Sequence, residues 1–274
     1  MKRITFNHKD KDWKFWTPLI LGSLLLFNET LWIFLSGSGL FAGDPDPTNI
    51  DFHDVFGVFY MLAYFTTQTN LFLAIMFFVI ALIPTNRAYS WYMGSVVLMI
   101  ITFFAFWSLL FQPNNTILEW SDPYFVTSTL FTHGFNPLTG FIFLIIIRKH
   151  IIINRQKVGL CAMYMMVYYI FNAILYTVTT FINSDGDIQG ISVYKFLEMN
   201  FLFTIDFGDN LALAIFANLL LFIVCPFFPL TFSIIIIKIF KIKTEPQSYY
   251  HWMDILKSKI KKDKKVVQNE ENLS

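Results

Sequence analysis

The run LALAIFANLLLFIVCPFFPLTFSIIII, Leu211–Ile237, holds 27 residues with no charged side chain before Lys238. A helix rises about 1.5 Å per residue, so about 20 apolar residues cross a hydrocarbon core about 30 Å thick. A helix apolar on every face is buried in a large core or in lipid. Pro226 and Pro229 each remove a backbone donor inside this run, which predicts a kink. Five more stretches of comparable character precede it: Phe15–Leu35, Val55–Ile83, Trp91–Phe111, Tyr124–Ile147 and Val158–Ile182. The second and sixth are long enough to tilt or to begin as an interfacial segment. The sequence therefore predicts an all-α, polytopic membrane bundle of six transmembrane helices.

Composition points the same way. Of 274 residues, 55% are hydrophobic and 14% charged, with a mean hydropathy of +0.54. Soluble domains run nearer about 45–50% apolar and about 25% charged. Disorder, nucleic-acid binding and most cytosolic enzymes are excluded, and the expected partner is the lipid bilayer of the cell membrane. Cys161 and Cys225 fall inside apolar runs and read as small buried or lipid-facing hydrophobes, not as a disulfide or metal ligands.

Charge placement sets the expected orientation. Nineteen of the twenty Lys and Arg precede the first span, occupy the second and fourth connections (Arg87; Arg148, Lys149, Arg155, Lys157), or run from Lys238 to Lys265. The opposite connections hold Lys195 and eleven acids, Asp44, Asp54, Glu119, Asp185 and Asp206 among them. Positively charged loops stay inside, so both termini are expected in the cytoplasm. A cleaved signal peptide is the alternative for the first span, because small residues follow it over Ser36–Gly43. The long leader and bilayer-spanning run favour a retained helix.

Two units are expected: residues 1–242 as the transmembrane domain and 243–274 as a basic tail. In the tail, Tyr249, Trp252, Met253, Leu256 and Ile260 recur at helical spacing beside six lysines from Lys257 to Lys265. This reads either as an amphipathic helix on anionic lipids or as a solvated charged tail. Asn114-Asn115-Thr116 fits a glycosylation acceptor, relevant only in a eukaryotic secretory pathway.

Against the apolar background, polar residues inside the spans stand out, since they are costly there and often functional. They are Asn28 and Glu29 in the first span, Thr66 to Asn70 in the second, His133 and Asn136 in the fourth, and Asn172 and Asn218 in the last two. Glu29, Thr67 and His133 lie roughly 9–18 Å below the outer ends of their spans, counted at the helical rise. Thr66 and Thr67 stand four and three residues before Asn70, so each shares a face with it. A histidine supplies a base near neutral pH, and a threonine hydroxyl becomes a nucleophile once such a base activates it. Thr66, Thr67 and His133 are thus candidate catalytic residues for acyl transfer. Glu29, Gln68, Asn70, Asn136, Asn172 and Asn218 are candidate pocket residues. The structural alternative is that hydroxyls bond the i−4 carbonyl or hold helices together, at about 1 kcal/mol or less each. Glu29 would then partner His133 or Asn70. No phosphate loop, Gly-rich cofactor turn or Cys/His metal spacing occurs, so neither cofactor nor metal is expected.

The run Tyr64-Phe65-Thr66-Thr67-Gln68-Thr69-Asn70-Leu71 resembles the second-helix signature Tyr-Phe-Thr-x-Gln-Ser/Thr-Asn of a family of bacterial six-pass membrane proteins. These resemble in turn the eukaryotic androgen-induced membrane proteins, intramembrane hydrolases of fatty-acid esters of hydroxy fatty acids. His133-Gly134-Phe135-Asn136-Pro137 is similar to the His-x-x-x-Pro of the bacterial family and the His-Gly-x-His of the eukaryotic one. The resemblance implies six spans, cytoplasmic termini and a Thr nucleophile paired with a His on another helix. Alignment on Asn70 puts Thr67 at the nucleophile, whereas the bacterial signature emphasises Thr66. Asn136 stands where the eukaryotic motif carries its catalytic His, which leaves His133 as the base. Three functions stay open at this stage: lipid-ester hydrolase, small-molecule transporter or its substrate-binding subunit, and non-catalytic scaffold.

Overall fold

The computed structural model describes residues 12–38, 55–110, 123–182, 197–198, 201–202, 205–206 and 210–245. Its helices are α1 Trp13–Gly37, α2 Phe65–Leu82, α3 Asn86–Leu110, α4 Pro123–Leu130, α5 Asn136–Ile147, α6 Arg155–Ile182, α7 Leu211–Val224 and α8 Phe227–Ile239. Taken singly or joined end to end, they provide six helices long and apolar enough to cross a membrane. Six such helices are compatible with a multi-pass membrane protein.

Three spans are less regular than their hydropathy. Gly57–Ala63 forms a 3-10 helix, and Tyr64 then turns extended (ψ 132°) before α2 begins. The fourth span carries a π-helical turn at Phe131–Phe135 between α4 and α5. In the sixth, the expected kink is a break at Cys225 and Pro226, where proline offers no N–H to continue the ladder. Side-chain caps move two starts earlier than hydropathy suggests. Thr85 Oγ1 accepts from Ala88 N–H (3.2 Å), so α3 starts at Asn86 and not near Trp91. Asn154 Oδ1 likewise accepts from Lys157 N–H (3.2 Å) and starts α6 at Arg155. Between α6 and α7, the two-residue strands Leu197–Glu198, Phe201–Leu202 and Ile205–Asp206 pair antiparallel, a small β addition to the all-α expectation.

The core centres on α2. Leu73, Ala74, Phe77 and Ile80 pack with Tyr92, Met93 and Val96 of α3 and with Phe143, Leu144 and Ile147 of α5. The rings of Phe77, Tyr92 and Phe143 meet tilted or edge-on, with centroids 5.2, 5.4 and 6.0 Å apart. Lipid offers no hydrophobic drive between helices, so such contacts depend on close packing and small residues. At Gly140 a Cβ would lie 2.8 Å from Leu73 Cδ2, and the bare backbone there accepts the Tyr92 hydroxyl at 2.7 Å. At Gly94 a Cβ would lie 2.6 Å from Cys161 Cβ. Cys161 and Cys225 are free and buried. Phe27, Phe34, Val167, Phe216 and Ile239 face outward, an apolar exterior that suits acyl chains.

The chain divides into Met1–Lys243 and Thr244–Ser274. Only Thr244 and Glu245 of the second unit are described. The amphipathic tail, the basic N-terminal leader, the Asn114 acceptor and Asp44 and its neighbouring acids lie outside the described residues.

Candidate functional site

Two glycines set α1 against the second span. At Gly22 a Cβ would sit 3.1 Å from Ala74 O and 3.0 Å from Phe77 Cβ, and at Gly37 one would sit 3.0 Å from Val58 C. The helices therefore run antiparallel. Glu29, seven residues beyond Gly22, comes level with about residues 67–70 of α2 at equal rise.

Hydrogen bonds complete the arrangement. Asn136 Nδ2 donates to Glu29 Oε1 (2.9 Å) and to Asn70 Oδ1 (2.8 Å). Asn70 Nδ2 donates to Thr66 O (2.9 Å) and to Thr132 O (3.2 Å). Four N–H groups on two amides are thus spent, tying α1, α2, the π turn and α5 into one polar chain. Glu29, Asn70 and Asn136 are 2%, 0% and 3% exposed, so the chain is shut off from bulk water. Among the described residues, Asn136 supplies the one hydrogen bond to the Glu29 carboxyl, and the one ion pair is the peripheral Lys14–Asp12 (4.0 Å). A buried carboxyl with an amide and no cation is expensive to hold. Of the two structural partners expected for Glu29, neither His133 nor Asn70 bonds it directly; Asn136 stands between Glu29 and Asn70.

The other polar residues separate into different places. Thr66 and Thr67 are buried. Thr69 Oγ1 donates to Thr66 O (3.0 Å) and lies 3.5 Å from Thr102 Oγ1. Gln68 Nε2 donates to Leu62 O (2.6 Å), and its Oε1 accepts from the Tyr164 hydroxyl. His133 sits in the π turn with its ring flat on Phe106, centroids 3.5 Å apart and planes 6° apart. Its Nδ1 is buried without a hydrogen-bond partner, and its carbonyl accepts from Trp107 Nε1 (3.0 Å). His133 Nδ1 therefore does not activate a threonine hydroxyl in this arrangement. Asn218 Nδ2 donates to Ala214 O (2.8 Å), and its Oδ1 accepts from the Tyr169 hydroxyl, which joins α6 to α7. Asn172 is fully buried in α6.

Tyr168 is a residue that sequence reasoning passed over. Its hydroxyl accepts from Phe65 N–H (3.0 Å) and donates to Ala63 O (2.8 Å), bridging the break at Tyr64. Tyr164, one turn earlier, stacks on Phe65 at 5.7 Å. The available signal was the i,i+4 spacing of Tyr164 and Tyr168 within a span, each needing a partner for its hydroxyl. Asn28 beside Glu29 accepts from Trp32 Nε1 (2.9 Å), while its own Nδ2 is buried with no partner.

Chemically, the centre can accept hydrogen bonds and exchange a proton. Its unspent atoms are Glu29 Oε2 and Asn136 Oδ1, neither of which takes a hydrogen bond among the described residues. No group of three or more His, Cys, Asp and Glu suited to a metal ion occurs among the described residues. No family model, curated protein or solved structure matches the chain.

Proposed function

We propose that this protein is a small-molecule carrier, or the substrate-binding subunit of a transporter, in the cell membrane, with Glu29 as its central ligand contact. The observation that carries this reading is the buried chain Glu29–Asn136–Asn70, a carboxyl served by an amide and faced by no cation. Ionisable groups at such depth mark substrate or proton paths, and spans interrupted as the second and sixth are here are a common setting for them. The lysine-rich tail would rest on anionic lipids.

One observation favours a second reading, an intramembrane lipid-ester hydrolase. Asn136, at the place the resemblance gives to the catalytic His, bonds Asn70 of the second-helix signature, so the two signature stretches meet. Thr67 or Thr66 would be the nucleophile, and His133 would act as base after leaving its stack on Phe106.

Lipid and metabolite profiling separates these readings in cells expressing wild type, Glu29→Gln, Thr67→Ala or His133→Ala at equal levels. A carrier redistributes an intact metabolite between cells and medium, by an amount that falls about tenfold in Glu29→Gln, or 1.4 kcal/mol, and persists in Thr67→Ala. A hydrolase depletes an ester with a matching rise in free fatty acid, abolished in Thr67→Ala and His133→Ala. Unchanged profiles, with substitutions lowering thermal stability alone, would sink both readings and leave a scaffold.

A further inference from the structure

Among the described residues, every Lys and Arg lies at or just beyond the start of α1, α3 or α6, or the end of α5 or α8. The alternation of spans brings those ends to one side of the bundle. The end of α8 is the most densely charged of them, with Lys238, Lys241 and Lys243 all exposed. The one ion pair among the described residues is Lys14–Asp12, so no described acid neutralises these three. The backbone there is unusual. Lys241 has a φ of 52°, a left-handed conformation that favours glycine and that other residues seldom adopt. Ile242 N–H donates to Ile237 O (3.0 Å) and Lys241 N–H to Lys238 O (3.4 Å), the two bonds of a Schellman turn. The turn delivers Ile242 to the buried cluster that also holds Ile151 and Ile153. Glycine would make this turn without steric cost; a lysine makes it here, and its ammonium is held beside those of Lys238 and Lys243.

The helix leading to this turn narrows the ligand. Phe227, Phe228, Ile234, Ile235 and Ile239 of α8 are exposed. Lys238 follows Ile234 and Ile235 by four and three residues, so it continues their stripe. An apolar stripe therefore ends at a cluster of ammonium groups. A free phosphate or an acidic peptide would use the lysines and leave the stripe unused. An anionic phospholipid uses both, its phosphate accepting from ammonium donors and its acyl chains lying on the apolar side chains. We infer that Lys238, Lys241 and Lys243 hold the phosphate of an anionic phospholipid whose acyl chains run along the exposed stripe of α8. This site is distinct from the lysine-rich tail and independent of the carrier reading.

The test uses the full-length protein in phosphatidylcholine nanodiscs doped with a trace of photoreactive lipid. Phosphatidylglycerol and phosphatidylcholine carrying the same diazirine acyl chain serve as anionic and neutral probes, and mass spectrometry reads the label on residues 227–243. Each lysine near an anionic headgroup contributes about fivefold in affinity, so the anionic probe should label this segment at least about tenfold more than the neutral one. Lys238→Gln and Lys241→Gly should each cut that preference about fivefold, with labelling of α7 unchanged. Lys241→Gly should melt no lower than wild type, because glycine relieves the left-handed turn. If it does melt lower, Lys238→Gln decides alone. A wild-type preference below about twofold, or one undiminished in both variants, would overturn the inference. So would a preference erased by millimolar inorganic phosphate at matched ionic strength, which would mark a site for free phosphate. A preference that survives both variants but vanishes when the six lysines from Lys257 to Lys265 become Gln would move the contact to the tail, and would overturn it too.

Discussion

The N-terminal and C-terminal halves of α2 face the same neighbours but are held by different forces. Toward the C-terminus, Leu73, Ala74 and Phe77 meet Tyr92, Val96 and Phe143 through close-packed rings and methyls. Toward the N-terminus, within two turns, Asn70 donates to Thr66 O and accepts from Asn136 Nδ2, which also donates to Glu29. The packed layer gains many small dispersion contacts and depends on volume. The polar layer depends on each donor finding its acceptor, and one missing partner strands a buried group. Stability is therefore concentrated below and chemical capability above.

The largest test of that contrast is Phe77→Ala, which removes the fully buried ring at the centre of the packed layer. A loss of about 3–5 kcal/mol in reversible unfolding is expected. A loss below about 1 kcal/mol would mean that volume does not govern this layer. Tyr168→Phe comes next, because it strands Phe65 N–H and Ala63 O together. It should cost about 1–3 kcal/mol and speed hydrogen exchange at the Phe65 amide, with exchange at Phe77 little changed. The smallest effect on stability belongs to Glu29→Gln. The new amide oxygen still accepts from Asn136 Nδ2, so unfolding should shift by less than about 1 kcal/mol while Glu29-dependent function disappears. A larger loss of stability with function intact would turn Glu29 into a purely structural residue.

The six apolar helices were legible in the sequence because the bilayer imposes a length and a polarity on each span. Glu29, Asn70 and Asn136 were legible as exceptions to that polarity. Their pairing was not, since it depends on how α1 rotates about its axis and on which face of α2 it meets, and Gly22 and Gly37 set both. His133 was legible as a titratable group but not as a ring stacked on Phe106. The π turn that carries it changes the helical phase in a way no residue spacing reveals. The break at Tyr64 was hidden for a similar reason. No proline or glycine marks that position, and the hydroxyl that bridges it arrives from Tyr168, 104 residues further along the chain.

That hydroxyl has a mechanical consequence. Because one oxygen is bonded both to Phe65 N–H and to Ala63 O, a slide of α6 by one residue, about 1.5 Å, breaks both bonds at once. Tyr168 thus acts as a register pin between α6 and the start of α2. The closest approaches of α1 are of another kind, bare glycine backbone at Gly22 and Gly37 lying on Ala74 and Val58. Side chains still tie α1 to its neighbours, Glu29 to Asn136 (2.9 Å) and Ser36 to Tyr124 (2.8 Å), so the helix that carries the carboxyl shifts only when both bonds part.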